Sequence, residues 1–146
     1  MKNLKFLVIA AALLLGLQSA SQAQTAPAAE TPATPPVARE AVTSPDKSVT
    51  DMLAILMGAL EDDSYTMFMA PMAEQVKAAL PKPTFEKVVA MMAPRIKAGY
   101  KTAFIDGVKR PGAATYLWKL KFADGGDDMI ALLTITDGKA ATFLLL

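Results

Sequence analysis

The spacing of hydrophobic residues divides this chain into two halves. Between residues 48 and 98, apolar residues recur every three or four positions, which predicts amphipathic helices. From residue 100 to the end they recur at every second position, which predicts strands. Helices followed by strands, without alternation between the two, predict an α+β domain with its helices on one face of the sheet.

Three helices account for the first half. The first follows Ser48. The second spans residues 64–80, where Pro71 is expected to bend or restart it because proline has no backbone N–H. The third follows Thr84 and ends near Gly99, a residue type that commonly terminates helices.

Four strands account for the second half, and turn sequences separate them. The turns lie at residues 110–112, 124–127 and 137–138, and each contains glycine. Strands joined by connections this short pair antiparallel with their neighbours. The sequence therefore predicts an antiparallel meander of four strands over residues 100–146.

The strand that contains Trp118 has the clearest alternation. Lys119 and Lys121 reach water from one face only, so their neighbours must point to the other face. We therefore expect the following side chains to be buried together: Tyr116, Trp118, Leu120 and Phe122.

The C-terminal hairpin, residues 129–146, is apolar on both faces. With Asp137-Gly138 as its two-residue loop, Thr136 pairs with Lys139, and the faces follow by counting back from that pair. One layer of helices covers a single face. The other apolar face of the hairpin must therefore be covered as well. Another subunit, a partner protein, a curled sheet around a pocket or the chain's own curvature could cover it.

Which face of the hairpin remains for a partner depends on which face the helices bury. If the helices bury the face that carries Leu132 and Phe143, the face that carries Leu133 and Leu144 is available to a partner. If they bury the second face, the first is available. The last strand also lacks any charge after Lys139, although natural edge strands are usually protected by charge or proline. We predict a self-association or partner interface formed by Leu133, Ile135, Leu144 and Leu146.

The N-terminus has the order of a secretory signal peptide. Lys2 and Lys5 precede an apolar run over residues 6–17, and Ser21-Gln22-Ala23 supplies a small-residue cleavage site. The run is shorter than the ~20 residues that span a bilayer, so no transmembrane segment is expected in the mature chain. Export to the periplasm or the extracellular space is predicted, with residues 1–23 removed.

A proline-rich segment follows the predicted signal peptide. Residues 24–45 contain proline among Ala, Thr, Glu and Ser, with no aromatic residue and no helical or strand periodicity. Such a segment cannot bury enough apolar surface to offset its ordering entropy. We predict a disordered linker over residues 24–45 and a single α+β domain over residues 46–146.

Composition excludes several classes of function. The 146 residues include no cysteine and no histidine, so thiol nucleophiles, disulfides, thiolate metal sites and imidazole bases are impossible. A formal net charge of +1 provides no basic field for nucleic acid. The acidic stretches at residues 61–63 and 124–128 lack the ordered spacing of a calcium loop. Neither a metal nor a cofactor is therefore expected.

The order of elements resembles the nuclear-transport-factor-2-like or cystatin-like superfamily. The likeness is closest to the small secreted bacterial domain of unknown function that occurs alone or ahead of an exported alpha/beta-hydrolase. It covers most of residues 46–146 and is carried by an acidic break, an aromatic-bearing second helix, the end of the third helix and the closing hairpin: Glu61-Asp62-Asp63, residues 64–80, Ala98-Gly99-Tyr100 and Asp137-Gly138-Lys139.

The resemblance implies a curved sheet wrapped round the helices, a cone-shaped cavity and frequent dimers through the sheet. Enzymes of that superfamily place an aspartate and a tyrosine or histidine in the cavity, for which Asp106, Tyr65 and Tyr100 are the candidates here. Asp106 precedes Gly107, so a turn role explains it more simply. We therefore expect an exported, non-catalytic binding or interaction module. The alternative is a ketosteroid-isomerase-like enzyme or small-molecule binder that uses the cavity.

Overall fold

A computed structural model describes residues 39–146. The predicted signal peptide, residues 1–23, and residues 24–38 of the predicted linker lie outside the described residues. Within the described part, four helices and a five-stranded antiparallel sheet form an α+β fold, which confirms the predicted class.

The elements follow one another with short connections. The helices are α1 (Lys47–Glu61), α2 (Tyr65–Met69), α3 (Glu74–Ala79) and α4 (Lys82–Lys97). The strands are β1 (Glu40–Ala41), β2 (Tyr100–Arg110), β3 (Ala113–Phe122), β4 (Met129–Thr136) and β5 (Lys139–Leu145). The strands lie in the sheet in chain order, from β1 at one edge to β5 at the other.

The second predicted helix is two helices, so the prediction of three helices is wrong. The chain leaves the helical path between α2 and α3, at Pro71. There the carbonyl of Pro71 accepts a hydrogen bond from Ala140 at 2.9 Å, and Ala73 donates one to Ala140 at 2.9 Å. The break therefore supplies a short parallel bridge to β5, which an uninterrupted helix has no free backbone groups to make.

The sheet has a fifth strand, β1, which lies within the predicted linker, residues 24–45. Glu40 and Ala41 pair with the end of β2, and Val42 donates a hydrogen bond to Gly107 at 2.8 Å. A Cβ on Gly107 would lie 2.9 Å from the Cβ of Val42, so glycine permits this close approach. The ordered domain thus begins before residue 46. A strand of two residues is too short to show a sequence periodicity, so only its pairing with β2 identifies it.

One face of the sheet packs against the helices and forms the core. Its largest fully buried side chains come from both layers: Leu56, Met57, Leu60, Met72, Phe85, Leu120 and Leu133. The ring of Phe68 links the layers, at 5.1 Å from Phe85 and 6.0 Å from Phe143 between centroids. The predicted buried face of β3 is confirmed, since Trp118 is 3% exposed and its three companions are also buried.

Truncation of Trp118 should destabilise the domain. Trp118→Ala removes a buried ring that contacts Phe104 and Tyr116, so we expect a loss of about 3–5 kcal/mol in the free energy of unfolding. Urea denaturation measures it. Lys121→Ala, on the opposite face of the same strand, is the control and should change stability by less than about 0.5 kcal/mol.

Candidate functional site

Two of the three catalytic candidates are engaged in local structure. The Tyr65 hydroxyl donates a hydrogen bond to the carbonyl of Leu80 at 2.7 Å, and its ring meets Phe85 edge-on. The carboxylate of Asp106 is exposed and accepts a hydrogen bond from the N–H of Gly107 at 2.7 Å. The first contact ties α2 to the end of α3, and the second stabilises the β2 backbone beside its bulge.

Tyr100, the third candidate, begins β2 and is half-buried. Its ring packs on Phe122, and burial, together with the nearby Glu61 carboxylate, raises the pKa of Tyr100. Tyr100 pairs with Phe122 on the helix-covered face, whereas Asp106 pairs with Leu117 on the opposite face. The structure therefore does not bring the predicted carboxylate and tyrosine together.

The described interior holds no charged side chain. Within residues 39–146 every Asp, Glu, Lys and Arg is at least partly exposed, and the buried rings of Tyr116 and Trp118 pack within the apolar core. A small cavity of about 30 Å³ lies beside β5, and its lining is apolar: Leu60, Phe68, Val88, Phe143, Leu144 and Leu145. General acid–base catalysis needs an oriented titratable group at a reacting atom, and this cavity contains none.

A bulge in the final hairpin changes which residues share a face. The pairs next to the turn are as predicted, with Thr136 opposite Lys139. The register then shifts by one residue at Ala141, so that Leu133 pairs with Phe143 and Leu132 with Leu144. A one-residue shift transfers every later side chain to the other face.

The interface prediction is wrong for Leu133, because its β3 partner, Tyr116, lies on the face that the helices cover. Leu133 is 0% exposed and lies in the core, while Leu144, its predicted companion, is half-buried on the other face. Ile135 packs against the edge of the core. Leu146 is 44% exposed, at the end of the chain.

The outer face of the sheet, opposite the helices, carries an apolar row. Leu117, Leu132 and Leu144 are direct neighbours across β3, β4 and β5, and all three are half-buried; we call them the leucine row. On β2 the partner of Leu117 is the exposed Asp106, and the neighbouring Ile105, the unpaired residue of the bulge, is 53% exposed. Sequence periodicity predicted an apolar second face but placed the wrong β5 partner opposite Leu133.

Polar groups border the leucine row on both sides. On one side Thr115 and Thr134 face each other across β3 and β4, with their hydroxyl oxygens 3.0 Å apart. On the other side Lys119 and Asp128 form a salt bridge, with 2.8 Å between the lysine Nζ and the carboxylate Oδ2. The outer face thus has an apolar centre between a hydroxyl border and a charged border.

Two lysines lie directly opposite each other beyond that charged border. Lys101 on β2 pairs in register with Lys121 on β3, and both are exposed. Like charges directly opposite one another destabilise a strand pair. This corner of the outer face is therefore positively charged and favours an acidic neighbour.

Arg95 attaches the end of α4 to the turn after β3. Its Nε donates to Asp124 at 2.7 Å, its Nη2 donates to the carbonyl of Asp127 at 2.7 Å, and its guanidinium lies 4.2 Å from the Phe122 ring centroid. The hydrogen bond from Arg95, with a second from the N–H of Gly126, holds the pKa of Asp124 below its usual range. The Asp124 carboxylate and the Asp127 carbonyl of this acidic turn are thus already bonded to Arg95.

Three further observations bear on function. No helix in the described part of the chain is long and apolar enough to cross a membrane. Nor do three acidic side chains come close enough anywhere in residues 39–146 to hold a metal ion. Comparisons with protein-family models, with curated proteins and with solved structures found no match to this chain.

The two neighbouring leucines of β4 test which face of that strand the helices cover. Leu132→Lys places a charge on the outer face, so the variant should remain folded. Leu133→Lys buries a charge in the core, which costs far more than the domain's stability allows. Circular dichroism and urea denaturation should show a cooperative transition for the first variant alone. The opposite result would show that the helices cover the Leu132 face of β4.

The Arg95–Asp124 pair should make stability depend on acidity. Because the pKa of Asp124 is lowered in the folded state, its contribution is complete above the unfolded pKa of about 3.9 and disappears as pH falls through the folded value. Asp124→Asn should therefore lower the melting temperature at pH 7, and the difference from the wild type should shrink in acid. Asp62→Asn, an exposed control, should not show that convergence. A pH-independent difference would contradict this role.

Proposed function

We propose that this chain is an exported binding module, not itself catalytic, that binds another protein through the outer face of its sheet. The leucine row is the observation that carries the proposal. Leu117, Leu132 and Leu144 lie side by side in register on the face that the helices do not cover.

The energetics of apolar burial support a partner at this face. Covering 400 Å² of such surface would contribute on the order of 10 kcal/mol at ~25 cal/mol per Å². Association costs about 4–15 kcal/mol in lost motion. A partner that covers the leucine row and its neighbours can therefore offset much of that cost.

Charge indicates the chemistry of the partner. Lys119 is paired within the chain, whereas Lys101 and Lys121 face each other. Acidic groups placed over this corner relieve that repulsion and orient the partner. The fitting partner is thus a protein with an apolar patch flanked on one side by Asp or Glu.

Export and family membership are parts of the same proposal. The charged start, the short apolar run and the small-residue site at residues 21–23 support secretion to the periplasm or beyond. The order of helices before an antiparallel sheet, together with bulges that bend β2 and β5, supports a cystatin-like or nuclear-transport-factor-2-like fold. The ketosteroid-isomerase-like alternative lacks its carboxylate, since Asp106 is exposed and lies on the opposite face of the sheet from Tyr100.

Site-specific photo-crosslinking tests the proposal in an exporting bacterial host. A photoreactive amino acid at Leu132 should give one discrete adduct with a second protein. The same group at Met91, an exposed apolar residue of α4, is the matched control and should give none. Lys101→Glu combined with Lys121→Glu should abolish the adduct at 132, because the acidic partner is then repelled.

Several results would overturn the proposal. They are the absence of an adduct at 132, equal adducts at 132 and 91, and an adduct whose mass is twice that of the chain. N-terminal sequencing of the same material is expected to begin at Gln24, and a sequence that begins at Met1 would refute export.

A further inference from the structure

We propose that β5 pairs antiparallel with β5 of a second copy of the chain, so that one continuous sheet spans the two copies. The inference rests on the backbone at the edge of the sheet. It does not depend on what binds the leucine row.

The backbone of β5 alternates in direction, and its outward groups can be identified. Ile130 and Leu146 exchange two hydrogen bonds, at 2.8 and 2.9 Å, so the backbone of Leu146 faces β4. Backbone direction reverses at each residue of a strand. The N–H and C=O groups of Leu145 and Phe143 therefore point away from β4, and no other group in residues 39–146 bonds to them.

The first half of the same edge is already paired within the chain. Ala140 donates to Pro71 and accepts from Ala73, both at 2.9 Å, so the segment around Met72 lies against the start of β5. The edge is thus covered where β5 begins and open over residues 142–146.

The open half lacks the features that usually protect an edge. Residues 142–146 are Thr-Phe-Leu-Leu-Leu, with no charge and no proline, and the bulge at Ala141 lies before them. The opposite edge, β1, is two residues long and carries Glu40 next to Arg39. Uncharged, regular edges recruit additional strands.

A second copy fits this edge by symmetry. A two-fold axis through Leu144 pairs Phe143 with Leu145 of the partner subunit and Leu145 with Phe143 of the partner subunit. Both members of each pair point their backbone groups toward each other, so every outward N–H and C=O of these two residues is satisfied. Residues 142–146 carry no charged side chain that would repel the other copy.

The surroundings of the edge also permit this arrangement. In an antiparallel pair centred on Leu144, Ala140 of each copy lies past Leu146 of the partner subunit, so the segments around Met72 do not meet the partner's β5. The described chain begins at residue 39, next to β1, which is the edge strand farthest from β5. The leucine row would then continue from Leu144 into Leu144 of the partner subunit.

A cysteine scan tests the geometry, and the natural absence of cysteine makes it unambiguous. Residues at 144 face each other across the two-fold axis as a non-hydrogen-bonded pair, with Cα atoms about 4.5 Å apart, within disulfide range. Leu144→Cys should therefore form a disulfide-linked dimer under mild oxidation. Leu132→Cys is the control on the same face, where the two sulfurs would be held about three strand spacings, roughly 14 Å, apart and should not link.

A backbone variant tests the hydrogen bonds. Leu145→Pro removes an outward N–H while leaving the β4 ladder intact, and Leu145→Ala makes a comparable loss of side chain without removing that N–H. In sedimentation velocity the wild type and Leu145→Ala should shift toward twice the monomer mass as concentration rises to about 200 µM, as expected of a small interface. Leu145→Pro should remain monomeric throughout.

Each contrary result overturns the inference. The first is a wild type that stays monomeric, and the second is a Leu145→Pro variant that dimerises like the wild type. The third is a disulfide that forms with Leu132→Cys as readily as with Leu144→Cys, because that result would indicate face-to-face stacking of the two sheets. If Leu145→Pro does not fold, the two cysteine variants decide the question. A failure here leaves the photo-crosslink at Leu132 unaffected, so the two proposals stand or fall separately.

Discussion

The pairing around Ala140 is the interaction on which the rest of this structure depends. Ala140 is fully buried, pairs with Ile135 of β4 and bonds on its other side to Pro71 and Ala73. These contacts tie the break between α2 and α3 to the last strand, and the bulge follows immediately at Ala141. The helical layer is thus anchored to one edge of the sheet, and the same pairing determines which leucines of β5 face solvent.

The charged side chains of the described domain all lie at its surface. Its interior buries none of them, and two of the catalytic candidates, Tyr65 and Asp106, have local backbone partners. Arg95, the best-connected charged side chain, joins α4 to a turn. Within residues 39–146, no element covers the leucine row and none pairs with the open half of β5.

These two features meet at Leu144. Its side chain belongs to the leucine row, and its neighbours Phe143 and Leu145 present the unpaired backbone of the edge. If β5 pairs with a second copy, the apolar row doubles in length, and a bivalent face replaces a small one. A module that is weak as a monomer would then bind a repeated or symmetric partner more tightly through effective concentration.

Much of the fold can be predicted from the pattern of residues. The two periodicities indicate helices followed by strands, the glycine turns locate the hairpins, and the lysines of β3 identify the buried side of Trp118. Strand β1, the split of the second helix and the face on which Leu144 lies cannot be read in this way. A strand of two residues has no period, and Pro71 marks a break without naming its partner. Alternation assigns residues to a face only while the register is unbroken, and the bulge at Ala141 arises from pairing with residues distant in sequence. Local preference therefore specifies the elements and the core side of β3, whereas long-range backbone pairing decides which leucines reach the surface.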